Sequence, residues 1–324
     1  MKNLFYMAKP NYGGWVTFTV HLSKKFNFEL YKVSKKTEYY KDGRPRLRNF
    51  GYDVRYHNIS KDEIRNKNNI LITAIDKNYY QYLKYFPDNT FIVIHDPTEV
   101  KGKSCQELID NLSRFRIITI RKTVKHYLKN KLDLESIFLY HPFYSYIKTE
   151  SCKTKTVSIS RLDFDKHTDL IIRANKLLSN DKKIDIYGAK NDLYIYHHLT
   201  KKLNLALDNY CGTFKKSFSD LNNILSVSKF VIDLSAIKYD GGGSQYTFLE
   251  AIYQDCILIL NKKWIENNSL KIESPFKHLV NCIFISDYNQ LVNVLLDETL
   301  PIKSILKNSK LLLKPHLDVD WLNI

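Results

Sequence analysis

What this sequence lacks narrows its class first. No stretch of the 324 residues approaches the ~20 uninterrupted apolar residues of a spanning helix, so no integral membrane segment is predicted. The opening MKNLFYMAKP has no long apolar region of the secretory kind and reads as a first buried strand. Cysteine is sparse: Cys105, Cys152, Cys211, Cys256 and Cys282 are scattered, odd in number and free of CxxC spacing. They read as small buried hydrophobes in a reducing cytoplasm, and no metal cluster is expected. There is no GxxxxGK[ST], which argues against a phosphate-loop NTPase, and no GxSxG elbow. Internal repeats and low-complexity segments are also missing.

What is present points to two α/β domains. The length suits two domains of roughly 150 residues each, and 44% hydrophobic content permits sizeable cores. Apolar runs at 3–8, 28–33, 70–75, 91–95, 116–120 and 136–140 alternate with amphipathic stretches at 15–26, 77–86, 104–113 and 123–132. Near-continuous apolar strands separated by helices predict a parallel sheet covered on both faces. The interval 34–56 breaks this rhythm and reads as an excursion from the sheet. Residues 142–156 are the candidate linker, dividing the chain into 1–150 and 151–324. A second alternation follows, with strands at 156–160, 182–187, 207–211, 230–235, 256–260 and 282–286, helices between most of them, and a helical tail beyond 302. The expected fold is α/β, two Rossmann-like parallel domains facing across a cleft.

Charge is uneven. The formal net charge is +16. Residues 1–150 carry 27 Lys+Arg against 15 Asp+Glu, and residues 151–324 carry 23 against 19. The first half therefore presents the field, to an acidic partner if to any; a solvated surface in a Lys-rich composition is the alternative. Lys41, Arg44, Arg46, Arg48 and Arg55 concentrate this charge in the 34–56 interval.

The segment FVIDLSAIKYDGGGSQYTFLEAIYQDCILILN, 230–261, is the most informative. It reads as strand, Gly loop, helix, strand. Gly241, Gly242 and Gly243 would put free N–H groups at a helix N-terminus, a place that suits a phosphate. Glu250, further along that helix, can accept hydrogen bonds from sugar hydroxyls. A dinucleotide fold has its Gly loop after the first strand; the late position here points to a nucleotide-sugar site in a second domain. Arg161 and Lys166 follow strand 156–160 and suit a diphosphate leaving group, unless Asp163 and Asp165 pair with them. Gly13-Gly14, Gly188 and Gly212 follow strands and either admit a ligand or simply turn the chain. His95-Asp96 ends an apolar run at a carboxyl edge. It can position or deprotonate a hydroxyl, or cap the next helix.

This order of Arg161 and Lys166, Gly212, Gly loop and Leu249-Glu250-Ala251 helix resembles the retaining, nucleotide-sugar-dependent glycosyltransferases of the GT-B fold. The resemblance is closer to the DNA α-glucosyltransferases of T-even bacteriophages. It rests on Met7-Ala8-Lys9, Gly13-Gly14, Val16-Thr17-Phe18, His95-Asp96 and the run from Gln245 to Glu250. Gln245 departs from an acidic residue, with Asp240 as a substitute in the same loop. The resemblance implies a UDP-sugar donor, with glucose as the sugar, no tightly bound cofactor and no metal. It implies double-stranded DNA as partner, a hydroxymethylated pyrimidine as acceptor, a monomer, and a host cytoplasm if the protein is viral. Arg161 and Lys166 would hold the diphosphate, with His95 and Asp96 at the acceptor hydroxyl. Gly13, Gly14, Gly188, Gly212, Asp240, Gly241, Gly242, Gly243, Gln245 and Glu250 would line the donor. The five cations of 34–56 would meet DNA. Two alternatives stand beside it: the same fold acting on a cell-envelope glycan or lipid-linked sugar, and a non-catalytic DNA-binding protein on a degenerate scaffold.

Overall fold

The computed structural model describes residues 2–213, 215–236, 245–266 and 274–324. The chain divides into two compact units, Met1–Ser145 with Pro315–Ile324, and Tyr146–Lys314. The division thus falls at 145/146 rather than 150/151, and the final ten residues join the first unit.

Unit 1 runs β1 (Asn3–Met7), α1 (Gly14–Phe26), β2 (Glu29–Ser34), β3 (Leu47–Gly51), β4 (Val54–Ser60), α2 (Lys61–Ile64), β5 (Ile70–Ile75), β6 (Phe91–Ile94), α3 (Gln106–Leu112), β7 (Arg116–Thr119), α4 (Lys122–Leu132) and β8 (Ile137–Phe138). The sheet order is β3-β4-β2-β1-β5-β6-β7-β8. All pairings are parallel except β3 with β4. β5, ILITAI, is buried at every position, as a central strand covered on both faces must be. α1 starts at Gly13, whose φ of 95° admits no ordinary side chain without strain, and ends on Asn27 in the left-handed region. Lys24 and Lys25 in its last turn complement the helix dipole.

Three expectations are corrected here. The interval 34–56 is not wholly an excursion, because β3 and the start of β4 add an antiparallel edge to the sheet. Their exposed, polar positions hide the strand signal, since an edge strand is solvated and need not be apolar. The stretch 77–86 forms a short 3-10 helix, Tyr80–Tyr85, and the strand at 136–140 shrinks to two residues.

Unit 2 runs β9 (Lys155–Ile159), α5 (Thr168–Leu177), β10 (Ile184–Tyr187), a π-helix (Tyr194–Lys202), β11 (Tyr210–Gly212), α6 (Phe218–Ser226), β12 (Ser228–Asp233), α7 (Tyr246–Tyr253), β13 (Ile257–Asn261), α8 (Lys263–Glu266), β14 (Ile283–Ile285), α9 (Tyr288–Leu296) and α10 (Ile302–Asp318), whose last residues belong to unit 1. Its sheet, β11-β10-β9-β12-β13-β14, is parallel throughout. Cys256 and Cys282 are buried, and burial pushes their thiols up to about 11 and about 12. Cys152 and Cys211 are exposed, against the expectation that the cysteines are small core residues.

Candidate functional site

The strand order decides where a ligand fits in unit 2. From β9 the chain moves outward through β10 to β11, then returns to place β12 on the other side of β9. The loops leaving β9 and β12 therefore diverge, and the crevice at such a switch point takes ligands in open α/β sheets. Those two loops are tied together here. Ala236 N–H donates to the Asp165 carbonyl at 3.0 Å. Lys166 Nζ donates to Ser235 Oγ at 2.5 Å. Ser235 in turn donates to the Asp233 carboxylate through both its N–H and its hydroxyl.

Lys166 sits in a one-turn 3-10 helix capped by the Asp163 side chain, which accepts from Phe164 N. It is 8% exposed. Among the described residues no carboxylate lies within 4 Å of its ammonium, and Asp233 is reached only through Ser235. Arg161 is different. It is half-exposed and pairs with Asp163 at 3.0 Å and Asp165 at 3.7 Å. The two cations of this edge thus divide into one neutralised by its neighbours and one buried without a direct counter-charge.

α7 is preceded by Gln245 at its N-cap, whose Nε2 is buried and finds no acceptor among the described residues. Glu250 is 6% exposed, and burial pushes its carboxyl up to about 8. Burial thus favours its protonated form, which can donate as well as accept. Asp240, Gly241, Gly242 and Gly243 lie outside the described residues. Gly188 ends β10 with φ 149°, and a Cβ there would stand 1.9 Å from the Ser160 carbonyl oxygen. Its glycine is required by the close passage of the chain leaving β9, whatever else it meets. Gly212 is tied to it, the Gly188 N–H donating to the Gly212 carbonyl at 2.9 Å.

In unit 1 the switch point lies at β1, with β2 on one side and β5 on the other. Gly13 and Gly14 stand at its carboxyl edge with open space where a Cβ would be. His95 and Asp96 leave β6 at the same edge but face different surroundings. The His95 ring is buried, its Nε2–H donating to the Thr73 carbonyl at 2.7 Å and its face meeting the Phe18 ring at 4.8 Å. Burial lowers it to about 4, so it is neutral at physiological pH. Asp96 is less buried and caps the following 3-10 turn, accepting from Thr98 N at 2.7 Å. The sequence left open a hydroxyl-positioning pair and a cap of the next helix; Asp96 makes the cap, and the His95 ring turns into the core.

Of the five cations expected at DNA, Arg44 is paired with Asp42 at 2.6 Å, and Arg48 forms a two-pronged pair with Glu38 at 2.7 and 2.9 Å. Lys41, Arg46 and Arg55 are exposed, and none forms an ion pair with another described residue.

Several residues escaped the sequence reading. Asp233 and Ser235, in the run VIDLSA, end an apolar strand at a carboxyl edge; the rule that found His95 would have found them. Glu99 is buried, holds Trp15 Nε1 at 2.8 Å and the His95 N–H at 3.1 Å, and is raised well above the usual carboxyl range by burial. Only the tertiary fold brings Trp15 to Glu99. Among the described residues no group of three or more His, Cys, Asp or Glu is placed to hold a metal ion. No helix among them is long and apolar enough to cross a membrane.

No family model matches the sequence, and no curated protein does. Solved structures do match its fold. The Anabaena protein HepE in complex with UDP-glucose superposes with a TM-score of 0.64 at 13% identity, covering 98% of this chain and 96% of that one. An α-glucosyltransferase in complex with UDP and a 13-mer DNA containing a HMU base gives 0.64 at 16% identity, again covering 98% and 96%. The pneumococcal O-GlcNAc transferase GtfA in complex with UDP and GlcNAc gives 0.53 at 15% identity, covering 87% of this chain and 63% of that one. With its two parallel-sheet units and these counterparts, the chain has the fold of the GT-B glycosyltransferases.

Proposed function

We propose that this chain is a retaining glycosyltransferase that moves a sugar, glucose in the first instance, from a UDP-sugar to a hydroxymethylated pyrimidine base in DNA. One observation carries the reading: the Lys166 ammonium is buried at the switch point of the unit 2 sheet, with a hydroxyl as its direct partner. An ammonium taken from water without a counter-charge is costly, and an anionic ligand offsets that cost. A diphosphate is the anion this edge suits.

In the transfer, the bond from the anomeric carbon to the diphosphate oxygen breaks. A bond to the acceptor hydroxyl oxygen forms, and UDP and a proton are released. Charge grows on the leaving oxygen, and Lys166, held by Ser235, stabilises it where it grows. Arg161 supports the same charge at the rim. Glu250 contacts the donor ribose. Gln245 offers a sugar oxygen its Nε2–H, which has no partner among the described residues. On unit 1, Asp96 faces the acceptor hydroxyl and buried His95 positions it. The acceptor base must leave its stack, at a cost of a few kcal/mol.

The DNA reading rests on the charge excess of residues 1–150 and on the α-glucosyltransferase solved with DNA. The envelope-glycan reading needs a basic membrane-surface helix with exposed apolar residues, and the lysine-rich α4 is the helix to examine. Val124 and Leu128 of α4 are fully buried, and Lys129 is paired with Asp133 and Glu135. That helix therefore keeps no apolar face for lipid. The test is incubation with a panel of UDP-sugars and either hydroxymethylated or plain DNA, read by nucleoside mass spectrometry. A hexose adduct on the hydroxymethylated base alone is expected. UDP-sugar turnover with no DNA adduct would overturn the acceptor, and no UDP binding would overturn the whole reading.

A further inference from the structure

We propose that a tyrosine-floored cationic pocket in unit 1 holds a backbone phosphate of a nucleic-acid strand, an assignment that rests on the DNA reading above. The pocket, of about 260 Å³, opens where β2 and β4 end and where the 3-10 helix Tyr80–Tyr85 follows β5. Lys35, Lys61 and Lys84 line it, with Gln81, Tyr82 and Tyr85. No carboxylate lines it. Among the described residues none of these three lysines has an ion-pair partner within 4 Å, unlike Arg44 and Arg48 of the nearby turn.

The charge is focused on one ring. Lys61 and Lys84 each stand 5.4 Å from the centroid of Tyr85, and Arg65 stands 5.8 Å from it. The rings of Tyr82 and Tyr85 pack against the unit 1 core, so the floor is built in and not a loose surface group. Several cations held together without an acid repel one another, and an anion between them removes that cost. The volume is smaller than the ~300–1,000 Å³ of ordinary small-molecule sites, which suits a phosphate with its sugar better than a second nucleotide sugar. A tyrosine face beside lysines suits a nucleic-acid strand, since every base and sugar has a face to lay on it. A lipid surface would want exposed apolar groups to insert, and the pocket has none.

The experiment measures binding of a short labelled duplex of unmodified DNA to the full chain over a range of salt concentrations, by fluorescence anisotropy. The parent chain is compared with Lys61→Gln/Lys84→Gln and with Arg46→Gln/Arg55→Gln. Vesicles of phosphatidylcholine and phosphatidylserine in equal parts form a separate arm. The pocket variant is expected to lose about 1–2 units of the log–log salt slope and to bind DNA more weakly, with UDP affinity and melting temperature unchanged. A pocket variant that binds DNA like the parent overturns the pocket and leaves the DNA reading standing. A parent chain that binds vesicles and not DNA overturns both.

Discussion

At the scale of single residues, Lys166 and Arg161 looked equivalent in sequence and are not. Lys166→Ala removes the buried, directly unneutralised charge and should lower kcat by ~10²-fold. Arg161→Ala removes a charge already shared with Asp163 and Asp165 and should cost clearly less. Ser235→Ala should cost about tenfold in kcat, the worth of a hydrogen bond to a charged group, and Ser235→Thr should restore most of it. Steady-state kinetics on the four variants decides; equal losses at Arg161 and Lys166 would count against the division. The residue types were legible in the sequence. Asp163 and Asp165 were legible as partners for Arg161; the partner of Lys166 was not, because Ser235 follows β12, which is distant in the chain and adjacent only in the sheet.

At the scale of elements, the parallel strands were readable because burial on both faces forces continuous apolar runs such as ILITAI of β5. β3 and β4 were not, since an edge pair faces water and carries Arg48, Asn49 and Arg55. The same limit hid the end of β10. Gly188 read as one more strand-end turn, yet the passage of Ser160 beside it fixes the residue. Gly188→Ala combines backbone strain with a clash against a carbonyl that cannot swing away. It should destabilise unit 2 by about 3 kcal/mol or more. Chemical denaturation checks this, and a loss under about 1 kcal/mol would show that the β9 exit yields easily.

At the scale of the whole molecule, the buried titratable groups set a stability optimum. His21, His95, His141 and His316 are all buried and all depressed by burial, His21 to about 3 and His95 and His316 to about 4. Each stays neutral in the fold while the unfolded chain takes up protons below pH 6.5, so stability is lost as pH falls from 6.5 toward 4. Glu99 and Glu250 are raised by burial, and their contribution is lost as pH rises, through about 8 for Glu250. Between pH 4.5 and 6.5 four histidines outweigh two carboxyls, a net slope of about 3 kcal/mol per pH unit. The melting temperature should therefore peak near pH 6.5 and fall more steeply on the acid side. A flat profile from 4.5 to 6.5 would remove the histidines from this role.

Trp321 is fully buried against Phe18, with its Nε1–H donating to the Tyr140 carbonyl, and Lys2 Nζ meets the Ile324 carbonyl at 2.9 Å. Unit 1 is thus built from segments on both sides of unit 2 in the sequence, and the later segment, Pro315–Ile324, supplies part of its core. During translation unit 2 has its whole sequence available while Phe18 still waits for its wall. The nascent chain should therefore become protease-resistant in the order unit 2, then unit 1, reversing their order in sequence. A chain released after Lys314 should show a protected unit 2 beside a readily cleaved unit 1.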